Sequence, residues 1–533
     1  MAALRLSEPG RKGTACGSER TSTPDAAAPK LKQLPDLYSD ISGTRLAADV
    51  REVLDTDLVS FGEAVQREAR FLKEELAAGT FDNPQAIVGL EYEFYGVTED
   101  GASLCRVPRP LLDLIGFETE LGLHNAELST SPQPLNSHGI AAQEREVKAR
   151  MSAAMDATTR AENIQLVSDG MWTIPPEGES AVDYLTACVE QDGVLLSTNM
   201  SESPRYQAMA NSEIDPGLRI DVPGVTLTAE TVALESLATS IQPHYQLPTA
   251  DDLPEYFAYA LRAAAPLLAV GVNSPFFPPE VYDDDATPEA VLREGWLENR
   301  VHVFEGVMNP EDGPTKVKFP DDVDSVRDAV DRIVEDPPVV PASVEAAGRF
   351  DDDFAHIRHK HGTYWRWVRP VFGGGSRSAA NVRVEFRPLP GQPTVRDTIA
   401  VQAAFAGLLK SLVATDHPVL DLDWQTARDN FYAATRDGLD ADLAWITAEG
   451  DRTTDTDVLY ADLFEHAADG LERRGLSNDE AAAYLRPLRQ RVDRRPGLLG
   501  RRRVVARRAV DRGVGHSIGD QICDLLAAVF VVL

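Results

Sequence analysis

From Val88 to Phe94 the chain alternates strictly between apolar and polar positions, in the run Ile87-Val88-Gly89-Leu90-Glu91-Tyr92-Glu93-Phe94. A two-residue period is that of a strand, so Val88, Leu90, Tyr92 and Phe94 share one face while Glu91 and Glu93 project together from the other. Carboxylates two apart on a strand lie roughly 6 to 7 Å from each other. At that distance they repel by ~0.6 kcal/mol in bulk water and ~2.4 kcal/mol at an effective dielectric of 20. Such a face either lies in water or, if enclosed, requires a counter-charge.

The charge balance narrows the partners. The 533 residues include 85 acidic and 52 basic side chains, a formal net charge of −33. That excess argues against nucleic acid or an anionic membrane as the main partner. Nine lysines stand against 43 arginines, and aspartate clusters such as Tyr282-Asp283-Asp284-Asp285 and Phe350-Asp351-Asp352-Asp353 recur. This pattern suits a halophilic cytoplasm, where high salt screens the self-repulsion of a compact acidic chain. Cys16, Cys105, Cys188 and Cys523 are scattered without the spacing of a zinc or redox motif, which fits a reducing, cytoplasmic setting.

Composition divides the chain into a disordered tail over 1–35, a helical lead-in over 36–85, a core over 86–415, a helical part over 416–490 and a basic tail over 491–533. Helical spacing recurs over 46–78, 140–163, 253–269, 424–436 and 455–473. Across 484–513 eleven arginines face two aspartates, which reads as an atypical tail, of the kind a shifted reading frame produces, contributing little to activity. Three further segments alternate as strands. Gln242, His244 and Gln246 share one face, as do Arg383, Glu385 and Arg387, and Arg300 and His302 alternate with Val301 and Val303. Pro243 restricts its strand to an edge, a bulge or a first position. Glu127, in His124-Asn125-Ala126-Glu127-Leu128-Ser129-Thr130, can reach Glu91 and Glu93 from a neighbouring strand. Several carboxylates with one imidazole and an amide suit Mg²⁺ or Mn²⁺, because hard cations prefer oxygen ligands.

Five motifs occur in a telling order: Gly89-Leu90-Glu91-Tyr92-Glu93-Phe94, Ala126-Glu127-Leu128-Ser129-Thr130-Ser131-Pro132, Ser240-Ile241-Gln242-Pro243-His244-Tyr245-Gln246, Val272-Asn273-Ser274-Pro275-Phe276 and Val384-Glu385-Phe386-Arg387. From about residue 84 to 438 the chain resembles glutamate–cysteine ligases and related carboxylate–amine ligases. The resemblance implies a glutamine-synthetase-like α+β fold, with a curved antiparallel sheet forming a funnel and helices packed outside. It implies ATP and Mg²⁺ as cofactors, and Glu91, Glu93, Glu127, His244 and Glu385 as the metal-gathering side chains. Arg387 and Glu93 are the candidate catalytic residues, with Arg300, Arg369, Arg383 and Gln242 as candidate contacts to substrate or ATP.

The activity so implied transfers the γ-phosphoryl of ATP to glutamate and joins the activated carboxyl to the amine of cysteine. Two alternatives stay open: another amine acceptor, or a catalytically silent relative that binds nucleotide or amino acid. The expected partners are small molecules, with neither nucleic acid nor membrane.

Other features read more plainly. Gly373-Gly374-Gly375-Ser376 lacks the lysine and helix of a phosphate loop and reads as a loop. His356, His359 and His361 read as a solvated helix end beside an ion pair.

Overall fold

The computed structural model describes residues 39–212, 217–342, 344 and 347–495. Its main sheet grows around the strand read from the alternation, β1 (Ile87–Thr98). Beside it lie β2 (Glu118–Thr119), β3 (Asn125–Ser129), β4 (Gln133–Pro134), β5 (Ile164–Val167), β6 (Ile241–Gln246), β7 (Val368–Gly373) and β8 (Asn381–Phe386). The spatial order is β7-β8-β6-β1-β3-β2, with β4 and β5 also paired to β1, and every pairing is antiparallel. The sheet is curled, and helices cover its apolar side. The expected class, α+β with a curved antiparallel sheet, is what the chain adopts.

Burial follows the alternation. Val88, Leu90, Tyr92 and Phe94 are each 1–2% exposed, against the helices. The helices next to the sheet are α3 (Ser137–Glu162), α4 (Leu253–Gly271) and α6 (Val395–Ala414), and behind them pack α7 (Trp424–Asp437), α8 (Thr456–Glu472) and α9 (Asn478–Asp493), with α5 (Asn299–Met308) between α4 and α6 in sequence. Helix α6 has the length and apolarity of a membrane span, yet 78% of its apolar window is buried in the protein, as befits a core helix. It crosses α8 at glycines. A Cβ built on Gly470 would lie 1.8 Å from the Gly407 carbonyl oxygen, and one on Gly407 would lie 2.2 Å from that of Ala467. The two backbones therefore touch without side chains between them.

Three local expectations change. The helical lead-in is two helices, α1 (Ser39–Leu54) and α2 (Leu58–Ala77), because the Asp57 side chain accepts the Val59 and Ser60 N–H groups and starts a new helix. Residues 299–308 form α5 rather than a strand. There the helical spacing of Arg300, Val303, Phe304, Val307 and Met308, all buried, outweighs the short alternation around His302. Pro243 sits in a central strand, opposite Leu90. On the other side of β6 the paired register with β8 begins only at His244, so the missing N–H removes no rung of the regular ladder. Residues 1–35 and most of the basic tail, 496–533, lie outside the described residues.

Candidate functional site

Antiparallel register assembles the site row by row. Glu93 is directly opposite Glu127 on β3, and Glu91 lies between Ser129 on β3 and Gln242 on β6. In the next row His244 faces Glu385 on β8, and Glu385 faces Arg369 on β7. Gly89 occupies the β1 position of that row, where a Cβ would lie in ordinary contact with the His244 Cβ, at 3.6 Å. Each polar residue sits on the face that alternation assigned to it.

One end of this face is held by ion pairs. His244 Nε2 lies 3.1 Å from Glu91 Oε1. Arg383 Nε donates to His244 Nδ1 at 3.3 Å. Glu385 accepts from Arg369 Nε at 2.9 Å and from Arg387 Nη1 at 2.5 Å, and the same Arg387 nitrogen donates to Gln242 Oε1 at 2.6 Å. Burial opposes a charge on Glu385, but Arg369 and Arg387 outweigh it and hold the carboxyl well below the usual range. Ligand atoms of Glu91, His244 and Glu385 lie within 4.8 Å of one another.

The other end is acidic beyond its local cations. Glu91, Glu93, Glu120, Glu127 and Glu235 line one cavity of about 210 Å³, with Arg205, Arg300, Arg369 and Arg387. Glu93 is satisfied by neutral donors, the Ser240 N–H (2.6 Å), the Ser240 hydroxyl (2.7 Å) and Gln242 Nε2 (3.0 Å). Burial, then the neighbouring Glu93, pushes Glu120 up to about 8. Glu127 and Glu235 are driven well above the carboxylate range, first by burial and then by surrounding carboxylates. Three carboxyls pushed toward neutrality around one cavity form a repulsive group that an added cation would relieve. The donor set of carboxylates and one imidazole fits a hard divalent cation.

A larger cavity, of about 460 Å³, adjoins the first. Glu91 lines both, and its side chain is 32% exposed. The larger one is walled by Gly89, His244, Arg383, Gly373, Gly374, Asp351 and Phe372, so the glycine-rich run is a loop at its edge.

The predicted side chains divide accordingly. Glu91, Glu93, Glu127, Gln242, Arg369 and Arg387 converge on the smaller cavity, and Arg383 reaches only the larger. Glu385 is 2% exposed and meets them through its arginines. Arg300 also lines the smaller cavity, but its guanidinium donates to the carbonyls of Arg387 (2.9 Å) and Pro388 (3.2 Å), bracing the segment after β8.

Glu120, Glu235, Arg205 and Tyr206 were not legible as site residues. Glu120 follows a two-residue strand, and Glu235 lies in a 3-10 turn, Val232–Leu237, so neither carries a periodic signal. The run around Asn273 and Ser274 anchors α5. Ser274 donates to Glu298 Oε1 at 2.6 Å and accepts the Arg300 N–H at 3.1 Å.

Two histidine groups lie elsewhere. His356 Nδ1 is 2.6 Å from Glu68 Oε1, and both His356 and His359 pack edge-on against Phe61, so this helix end is half-buried rather than solvated. His417 Nδ1 accepts the Val419 N–H and caps the 3-10 turn that begins at Pro418, and its Nε2 lies 3.2 Å from Asp462 Oδ2.

Comparison with known proteins adds the following. No curated protein matches the chain. Among solved structures, a bifunctional glutathione synthetase from Pasteurella multocida aligns with 86% of this chain at 14% identity and a TM-score of 0.47, and the chain spans 55% of that protein's length. A glutamate–cysteine ligase from Francisella tularensis, in complex with AMP, aligns with 84% of this chain and 88% of its own, at 11% identity and a TM-score of 0.40. The ligase PafA, in complex with the ubiquitin-like protein Pup, aligns with 84% of this chain and 72% of its own, at 12% identity and a TM-score of 0.36. The sequence profile of Glutamate-cysteine ligase family 2 matches residues 87–520, running into the basic stretch. The chain belongs to Glutamate-cysteine ligase family 2 (GCS2).

Proposed function

We propose that this protein is an ATP-dependent ligase that joins the γ-carboxyl of glutamate to the amino group of cysteine through a γ-glutamyl phosphate. The observation that carries this reading is that Glu91 forms a wall common to two cavities of different size and charge. ATP fits the larger one, with its γ-phosphate directed past Glu91 and His244. Glutamate fits the smaller one, where Arg205, Arg300, Arg369 and Arg387 supply the positive charge its carboxylates require.

Glu91, Glu93, Glu120, Glu127, His244 and Glu385 are the residues that would hold Mg²⁺. Bound there, the metal offsets the charge of the triphosphate and of the developing acyl phosphate. Arg387, oriented by Glu385 and Gln242, stabilises the phosphoryl group as it moves from ATP to the glutamate oxygen. ADP leaves. The amine nitrogen then attacks the acyl carbon, inorganic phosphate departs, and the amine proton passes to a carboxylate of the cavity. The acidic surface supports operation at high salt, and a folding midpoint that rises between dilute buffer and molar KCl is the expected sign.

The test is a purified-protein assay with Mg-ATP, glutamate and cysteine, read by mass analysis. ADP, phosphate and γ-glutamylcysteine are the expected products, and hydroxylamine in place of cysteine should trap the γ-glutamyl hydroxamate. ATP turnover with a different amine and none with cysteine would move the acceptor assignment. No ADP from a folded, Mg²⁺-binding protein would overturn the reading. Glu91→Gln should weaken ATP and glutamate use together.

A further inference from the structure

Helix α5 turns two sides to two cavities. Arg300, Phe304 and Met308 line the acidic cavity, whereas His302, Glu305 and Asn309 line another, of about 640 Å³, that opens beside α7. We propose that this second cavity is an effector site for a small zwitterion, a free α-amino acid or short peptide. Its ammonium meets Glu305 and its carboxylate meets Arg436, with Arg428 alongside.

Charge accounts for the choice of ligand. On the rim, Lys318 pairs with Asp321 at 3.5 Å and Arg428 with its neighbour Asp429 at 3.7 Å. Two groups of opposite sign are then left over. Glu305 has no ion-pair partner among the described residues, and its Oε1 accepts only from neutral donors, Trp367 Nε1 at 2.7 Å and the Tyr432 hydroxyl at 2.8 Å. Burial pushes this carboxyl up to about 7, and the Trp367 and Tyr432 donors and the nearby Arg428 offset that only in part, without a direct ion pair. Arg436 is exposed and likewise has no ion-pair partner among the described residues, in a chain with 85 acidic side chains to draw on. Positions 428, 432 and 436 follow one another at single-turn spacing along α7, and the Arg428 guanidinium lies over the Tyr432 ring at 5.2 Å. Phe319 and Trp424 give the cavity apolar wall for a side chain. A ligand with one ammonium and one carboxylate satisfies both unpaired groups, and a simple anion or cation satisfies one.

Occupancy has a route to the first cavity. Trp367, held by Glu305, carries the Arg300 guanidinium over its ring at 5.4 Å, and Arg300 in turn holds the Arg387 carbonyl. An ammonium drawn to Glu305 competes with the Trp367 bond and so acts on the residues bracing Arg387.

The test uses the full-length protein and L-phenylalanine as probe, with phenethylamine and 3-phenylpropionate lacking one charge each. Calorimetry should show saturable binding of L-phenylalanine and at least tenfold weaker binding of either analogue. Arg436→Ala should weaken the probe at least tenfold with turnover in its absence unchanged, and Arg436→Lys should restore part of the affinity. Saturating probe should change wild-type turnover and leave Arg436→Ala unaffected. Absence of saturable heat at millimolar probe, or equal binding by Arg436→Ala, overturns the site. Binding without a change in turnover overturns its effector role. The regulatory part rests on the ligase reading, but the calorimetric arm does not, so failure of the one is distinguishable from failure of the other.

Discussion

Glu93 and Glu127 are direct cross-strand partners, two carboxyls in a position where sheets ordinarily place opposite charges or apolar pairs. With Glu120 and Glu235 on the same cavity they make a repulsive cluster whose cost is relieved by protons or by metal.

Metal should therefore stabilise the protein strongly, and the cluster should destabilise it when metal is removed. At a hundredfold excess over its Kd, a bound cation adds about 2.7 kcal/mol. Thermal melts with Mg²⁺ and with EDTA should differ by several degrees in the wild type. Glu127→Gln should melt no lower than wild type in EDTA, respond less to Mg²⁺ and lose most ligase activity. A variant that keeps the full Mg²⁺ response would remove Glu127 from the metal set.

Arg387 should matter to turnover more than to folding. Glu385 retains Arg369 when Arg387 is shortened, so Arg387→Lys should keep its melting temperature within a few degrees. Loss of one preorganised donor at a transferring phosphoryl group costs about 10²- to 10³-fold in kcat. Steady-state kinetics with saturating ATP would show it.

Asp169, two residues past the end of β5, gives a pH signature outside both cavities. Its carboxyl is pushed up to about 7 by burial, against the pull of the Gly170 N–H and the Asn273 amide. The folded state then holds a proton that the unfolded chain, with a value of 3.8, releases earlier. The resulting stability is fully present below the unfolded value and is lost as pH rises through about 7. Asp169→Asn keeps an oxygen for both donors, so its urea midpoint should gain on wild type between pH 5 and pH 8. Parallel midpoints over that range would refute the assignment.

Gly470→Ala should destabilise by about 1–3 kcal/mol or more, because its methyl would enter the Gly407 backbone. Gly62→Ala is the control, a helical glycine with nothing within 4 Å of its Cβ direction, and should stabilise by about 0.5–1 kcal/mol. Chemical denaturation of both measures the contrast.

What could be read from the chain was whatever repeats every two residues. Glu91, Glu93, His244 and Glu385 stand on regular strands and Arg387 directly follows one, and a strand's face is fixed by parity alone. The same rule misassigned Arg300, since four alternating residues also fit one helical turn and tertiary burial decided between them. Glu120 and Glu235 escaped because they reach the cavity from irregular segments, where position depends on packing against residues remote in sequence. Pro243 shows the limit of a local rule. It excludes an interior strand only if its missing donor faces a paired neighbour, and that depends on register.

Glu91 borders both cavities, and this makes it a shared hinge of selectivity. Neither pocket can be reshaped at that residue without disturbing its neighbour, so under the proposed ligase reading the affinities for the two substrates would be tied together. Met209, Phe304 and Met308 line the smaller cavity alone, and under the same reading they are where an acceptor preference could change without altering the larger one.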